Sequence, residues 1–173
     1  FPADMDTSVL MNFVQRVFDR FDEWDLRLRH AAGPEGGVTA LLDCASDMLQ
    51  NPVWLADASG RLLARAERFG AERVREECET SYKMMERFRA GDGGSHVPEA
   101  QPFRASLEGG SSELLCVRFS AGDAAYALLS AGVERAFYGS DETVLERLGG
   151  YMQEMLLERR APADARRRDP ALE

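Results

Sequence analysis

The sequence is poor in the residues that do most catalytic and metal chemistry. It has two histidines, His30 and His96, and three cysteines, Cys44, Cys78 and Cys116. Three widely spaced cysteines without a CxxC pair give neither a disulfide framework nor a structural zinc site, and a reducing cytoplasm is their simplest home. No cofactor or metal is expected. Lysine is nearly absent: Lys83 stands alone and the other basic residues are arginines, which we read as codon bias of the source genome. No apolar run approaches the roughly 20 residues of a membrane span. The opening Phe1-Pro2-Ala3-Asp4 lacks the basic start and apolar stretch of a signal peptide. A chain that begins without methionine is expected to be a trimmed or excised fragment. A basic excess is also missing. With 30 acidic against 21 basic residues and a net charge of -9, the chain as a whole repels a phosphate backbone. Its one basic run, Arg166-Arg167-Arg168, reads either as a phosphate-contacting arm or as a solvated linker.

What is present suits a soluble globule. The chain is 45% hydrophobic and 29% charged, too apolar for disorder. Its 173 residues make one domain, or one domain plus an appended helix. A globule of this size buries roughly 70% of its unfolded surface and needs no cross-link to fold.

Helical periodicity opens the chain. From about Thr7 to Arg29, Leu10, Val14, Val17, Phe21, Trp24 and Leu28 fall at alternating spacings of four and three, a heptad seam among charged residues. Phe13 and Phe18 widen the stripe, which must pack on its own domain or on a second copy. Glycines and Pro34 end it. A second helix is predicted over Val38 to Leu49, stopped at Gln50-Asn51-Pro52. Val53 to Ala56 and Arg61 to Ala66 read as a hairpin about the turn Asp57-Ala58-Ser59-Gly60. A helix over Phe69 to Arg89 follows. Phe103 to Leu107 is a candidate short strand, and Glu113 to Ser120 and Ala124 to Val133 are two antiparallel strands. A last helix, capped by Ser140-Asp141-Glu142, is predicted to run to about Arg159, with a frayed linker after it. The order implies one antiparallel sheet covered by helices, an α+β domain.

The stretch Leu49-Gln50-Asn51-Pro52-Val53-Trp54-Leu55-Ala56-Asp57-Ala58-Ser59-Gly60-Arg61-Leu62-Leu63-Ala64 resembles the amino-terminal sensor region of PucR/CdaR-type bacterial transcription regulators. In that family a helix passes through an LGNP corner into a hairpin of the form V-x-x-D-x-x-G-R-x-L-A. Gln50 departs from the pattern by replacing the glycine. The strand Ala125-Tyr126-Ala127-Leu128-Leu129 and the helix start Tyr138-Gly139-Ser140-Asp141-Glu142 are similar to GAF and PAS-like domains. The resemblance implies a GAF/PAS-like antiparallel sheet flanked by helices, with long N- and C-terminal helices. It further implies a cytoplasmic homodimer that senses an unknown small-molecule effector and reaches DNA only through a helix-turn-helix missing from this fragment. The division expected is residues 1–32 as a dimerisation helix, 33–160 as the sensor domain and 161–173 as a flexible linker.

A sensor pocket on this reading lies between one sheet face and the helix from Phe69 to Arg89. Tyr82, Met85 and Phe88 line it from the helix, and Cys116, Arg118 and Tyr126 from the strands. Arg118 on a central strand offers a bidentate partner for a carboxylate, or else forms a surface salt bridge. The helical residues serve equally as core. The dimerisation residues are Leu10, Val14, Val17, Phe21, Trp24 and Leu28 on the first helix, with Leu148 and Met152 on the last. The alternative function is a ligand-free dimerisation or protein-interaction module. A cysteine enzyme would need a Cys78/His96 or Cys116/His96 dyad, for which no local motif exists, and His30 suits a helix end without any catalytic role. No enzyme is expected.

Overall fold

A computed structural model describes residues 6–69, 101–106 and 113–167, with side chains described except at 106 and 160–167. Helix α1 spans Thr7–Ala32 and α2 spans Val38–Leu49. Strands β1 (Val53–Asp57) and β2 (Leu62–Arg65) form the hairpin. Strands β3 (Pro102–Ser106), β4 (Glu113–Ala121) and β5 (Ala124–Ala131) follow, and helix α3 covers Gly139–Arg167. The predicted helix over Phe69 to Arg89 lies, beyond Phe69 itself, outside the described residues. Helix α3 continues eight residues past the predicted end at Arg159, through Pro162, where loss of apolar periodicity had suggested a linker.

The five strands form one antiparallel sheet in the order β2-β1-β5-β4-β3. Alternation sorts the strand residues onto two faces. Val53, Leu55, Leu115, Val117, Phe119 and Leu128 join a core with the buried residues of α1, α2 and α3. Trp54, Ala56, Leu114, Cys116, Ala127, Leu129 and Ala131 form a second buried cluster on the opposite face. Both faces of β4 and β5 are therefore apolar, which is why these strands read as near-continuous hydrophobic runs.

Helix α2 lies against β1 and β2, and α3 lies over β4 and β3. Of the apolar positions of α3, Val144, Leu145, Leu148, Met152 and Met155 are buried and Leu156 is half-buried. Gly149 on its sheet-facing side lets the helix approach closely: a Cβ there would lie 3.3 Å from Val117 Cγ1. Helix α1 packs on α2 and α3. Trp24, Leu28 and Ala31 are buried at that contact, and the Trp24 indole N–H donates to the Cys44 carbonyl at 2.9 Å.

The corner between α2 and β1 shows what its residues are for. Gln50 sits in the left-handed region (φ 51, ψ 32), a conformation that favours glycine. Asn51 is fully buried, and its side chain ties the corner to the β5–α3 loop. Its Nδ2 donates to the Arg135 carbonyl at 3.0 Å, and its Oδ1 accepts from the Glu134 and Arg135 amides at 3.0 and 3.3 Å. Ser46 Oγ donates to the Asn51 carbonyl and Ser130 Oγ to the Pro52 carbonyl. The turn of the hairpin is closed by Asp57, which accepts from the Ser59 and Arg61 amides, while Gly60 supplies φ 85.

Candidate functional site

The sheet does not assemble one pocket from the predicted ligand-binding residues that are described. Directly paired residues of an antiparallel ladder point to the same face. Arg118 pairs with Ala127, whereas Tyr126 pairs with Phe119, so Arg118 and Tyr126 lie on opposite faces. The Tyr126 and Phe119 rings stack at 5.5 Å on the helix-covered face. Cys116 lies on the other face with Arg118, fully buried. Burial pushes its thiol up to about 12, with Arg118 opposing weakly. A thiol held that high carries almost no thiolate at neutral pH and is a poor nucleophile. Burial also raises the thiol of Cys44. Tyr82, Met85, Phe88, Cys78 and His96 lie outside the described residues.

Hollows among the described residues lie elsewhere. A cleft of about 580 Å³ runs beside α3, lined among others by Val117, Phe119, Glu146, Gly149, Gly150 and Gln153. A hollow of about 250 Å³ between α1 and α2 is lined by Arg20, Trp24, Arg27, Asp47 and Met48. Neither takes in Cys116, Arg118 or Tyr126. Among the described residues no cluster of three His, Cys, Asp or Glu side chains could hold a metal ion.

The polar chemistry of the molecule joins its elements. Asp25, buried on α1, accepts from Arg29 Nη2 at 2.7 Å, Arg147 Nε at 2.9 Å and the Tyr151 hydroxyl at 3.1 Å. The hydrogen bond from Arg147 is the main reason its carboxyl lies below the usual range, with Arg29 and Tyr151 adding to it against the cost of burial. Arg135 forms a bidentate pair with buried Asp141 at 2.7 and 2.9 Å, and Asp141 also accepts from the Tyr138 amide at the start of α3. Arg104 on β3 reaches Glu142, Glu113 and the Tyr138 carbonyl. No buried polar side-chain atom among the described residues lacks a partner. These groups are consumed in holding α1 and the sheet to α3. Sequence reasoning missed Asp25, because one more charge beside a heptad seam looks solvated, and its partners Arg147 and Tyr151 are 122 and 126 positions away.

The dimerisation residues divide into two groups. Trp24, Leu28, Leu148 and Met152 are buried in the chain's own core. Leu10 and Phe21 are half-buried. Val14 and Val17 are exposed, and beside them so are Val9, Met11, Phe13 and Phe18. This is the largest run of exposed apolar side chains among the described residues; the others, such as Leu26, Tyr138 and Leu157, are scattered. No helix of the described residues is long and apolar enough to cross a membrane.

The fold, an antiparallel five-stranded sheet with helices, is shared with two solved MglB chains. Myxococcus xanthus MglB matches with a TM-score of 0.52 at 14% identity, over 73% of this chain and 99% of that one. The gliding protein MglB of Thermus thermophilus matches with a TM-score of 0.51 at 18% identity, over 68% of this chain and 87% of that one. A Roadblock/LC7 domain from Streptomyces avermitilis superposes less well, at TM-score 0.38 and 16% identity over 75% of this chain and 99% of that one. No known protein family matches the sequence, and no curated protein does.

The likeness to the two MglB chains overturns the GAF/PAS-like assignment and, with it, the sensor domain of a PucR/CdaR-type transcription regulator. The physical reason is the locality of the signal. A helix, an Asn-Pro corner and a hairpin specify how the chain passes from α2 into β1 and β2. They do not specify which long-range packing closes the sheet, so one antiparallel α+β fold can carry the corner of another.

Proposed function

We propose that the chain is a non-catalytic protein-interaction module that works in the cytoplasm as a homodimer and recognises a folded protein partner. Small GTPases are the partner class to test first, because roadblock-type proteins include regulators of such GTPases. The observation that carries the reading is the fold shared with the two MglB chains, and its warrant is fold-level analogy. The buried, proton-holding Cys116 and the engagement of Asp25, Asp141 and Arg104 in structural contacts support a role without chemistry of its own.

The test is calorimetric titration of the chain into purified small GTPases of its source organism, each loaded with GDP or with a non-hydrolysable GTP analogue. Saturable binding that differs between the two nucleotide states supports the reading. Absence of binding to every GTPase in both states removes this partner class and leaves a module for some other protein.

A further inference from the structure

The described residues of its own domain cover helix α1 over only part of its length. Its 26 residues extend about 39 Å, whereas the 12 residues of α2 extend about 18 Å. The buried residues Trp24, Asp25, Leu28 and Ala31 all lie in its last third. The apolar stripe nevertheless continues toward the N-terminus on the same face. Leu10, Val14, Val17 and Phe21 extend the seam of Trp24 and Leu28 at unbroken four-three spacing, with Met11, Phe13 and Phe18 flanking it. In the structure Phe13 is 59% exposed, Phe18 65%, Met11 63% and Val17 52%.

We infer that the outer half of α1, from Val9 to Phe18, is an interface at which a second copy of this chain docks with the same half of its own α1. The inference rests on the homodimer in the reading above and adds where that dimer forms. Three observations single out a second copy. The spacing has the 3.5-residue period by which helices supercoil and interlock, so the complement it fits is another helix. The open apolar side chains Val9, Met11, Phe13, Val14, Val17 and Phe18 crowd into one stretch of one helix, the kind of contiguous patch that marks a protein interaction site. Elsewhere among the described residues exposed apolar side chains are scattered, so the patch that matches this one in size is the same patch on another copy, the self-complementary contact of a two-fold dimer.

Charge agrees with this occupant. Arg16, Asp19, Arg20, Asp22 and Glu23 mix both signs around the stripe, so two copies approach without a large block of like charge. The same mixture disfavours a lipid surface, which calls for a polar face rich in basic residues.

The test uses the full chain and two readouts. Val14 lies at the middle of the outer half, close to the two-fold axis whether the helices run parallel or antiparallel. Under mild oxidation Val14→Cys is expected to form an interchain disulfide, whereas Asn12→Cys, on the opposite side of the helix, and the wild-type chain are not. In sedimentation the double variant Val17→Glu/Phe18→Glu is expected to weaken the dimer by about a hundredfold or more, since each glutamate must be buried without a partner. Its dilute-solution circular dichroism should stay that of wild type, because both sites are exposed in the single chain. A dimer that survives the double variant and forms no Val14→Cys link overturns this inference and leaves the homodimer standing through another surface. A wild-type chain that is monomeric at about 100 µM overturns both.

Discussion

The two halves of α1 have similar sequences and different fates. Both carry apolar residues at four-three spacing on one face with charges on the other. In the inner half Trp24, Leu28 and Ala31 are buried against α2 and α3, and Asp25 is tied down by Arg29, Arg147 and Tyr151. In the outer half Phe13, Val17 and Phe18 face solvent. An apolar stripe thus records that a face is to be covered; it does not record whether the cover comes from the same chain. The difference lies in what covers each half: among the described residues, α2 and α3 bury side chains of α1 only in its inner half.

The contrast can be broken from either side. The largest effect belongs to the inner half: Leu28→Ala removes a fully buried side chain and is expected to cost about 3–4 kcal/mol of unfolding free energy in denaturant titration. A cost near zero would mean that α1 is not docked on its own domain. Asp25→Asn comes next, at about 2 kcal/mol, because the aspartate is buried while Arg29 and Arg147 can turn to water. Its signature is in the pH dependence. The folded carboxyl is depressed, so its stabilisation is complete above the unfolded range near 4 and fades as pH falls through the folded value. Wild type and Asp25→Asn should therefore differ fully above about pH 5 and converge in strong acid; a gap that widens in acid would reverse the assignment.

Gln50→Gly is a smaller probe of the corner on which the inner half rests. It relieves a left-handed non-glycine residue but loses the hydrogen bonds of Gln50 to the Asp47 carbonyl and Arg68. A net gain of about 0.5 kcal/mol is expected, and a loss above about 1 kcal/mol would show that the side-chain contacts outweigh the backbone preference. Smallest of all is Phe13→Ser in the outer half, within about 0.5 kcal/mol of wild type in the dilute single chain. A cost comparable to that of Leu28→Ala would place Phe13 in the folded core.

Much of this architecture was legible in the sequence. The stripe of α1, the α2–Asn51-Pro52 corner, the β1–β2 hairpin and the paired strands β4 and β5 all follow from local periodicity and turn chemistry. Long-range choices were not legible. Nothing local marks Asp25 as the partner of Arg147, or Asn51 as the clamp on the Glu134-Arg135 loop. The resemblance to a sensor domain failed for the same reason: it rested on the corner, and the corner is compatible with more than one closure of the sheet. The register that separates Arg118 from Tyr126 depends on how β4 meets β5, a pairing that strand alternation within one segment leaves open.

The central claim is that α1 has one half held by its own domain and one half held by a second copy. Amide hydrogen exchange along α1, followed across a range of protein concentrations, tests it directly. Protection of Trp24 to Ala31 is expected to be independent of concentration, while that of Val9 to Phe18 rises as the chain is concentrated. Outer-half protection that never changes with concentration, whether high or low, would contradict the account.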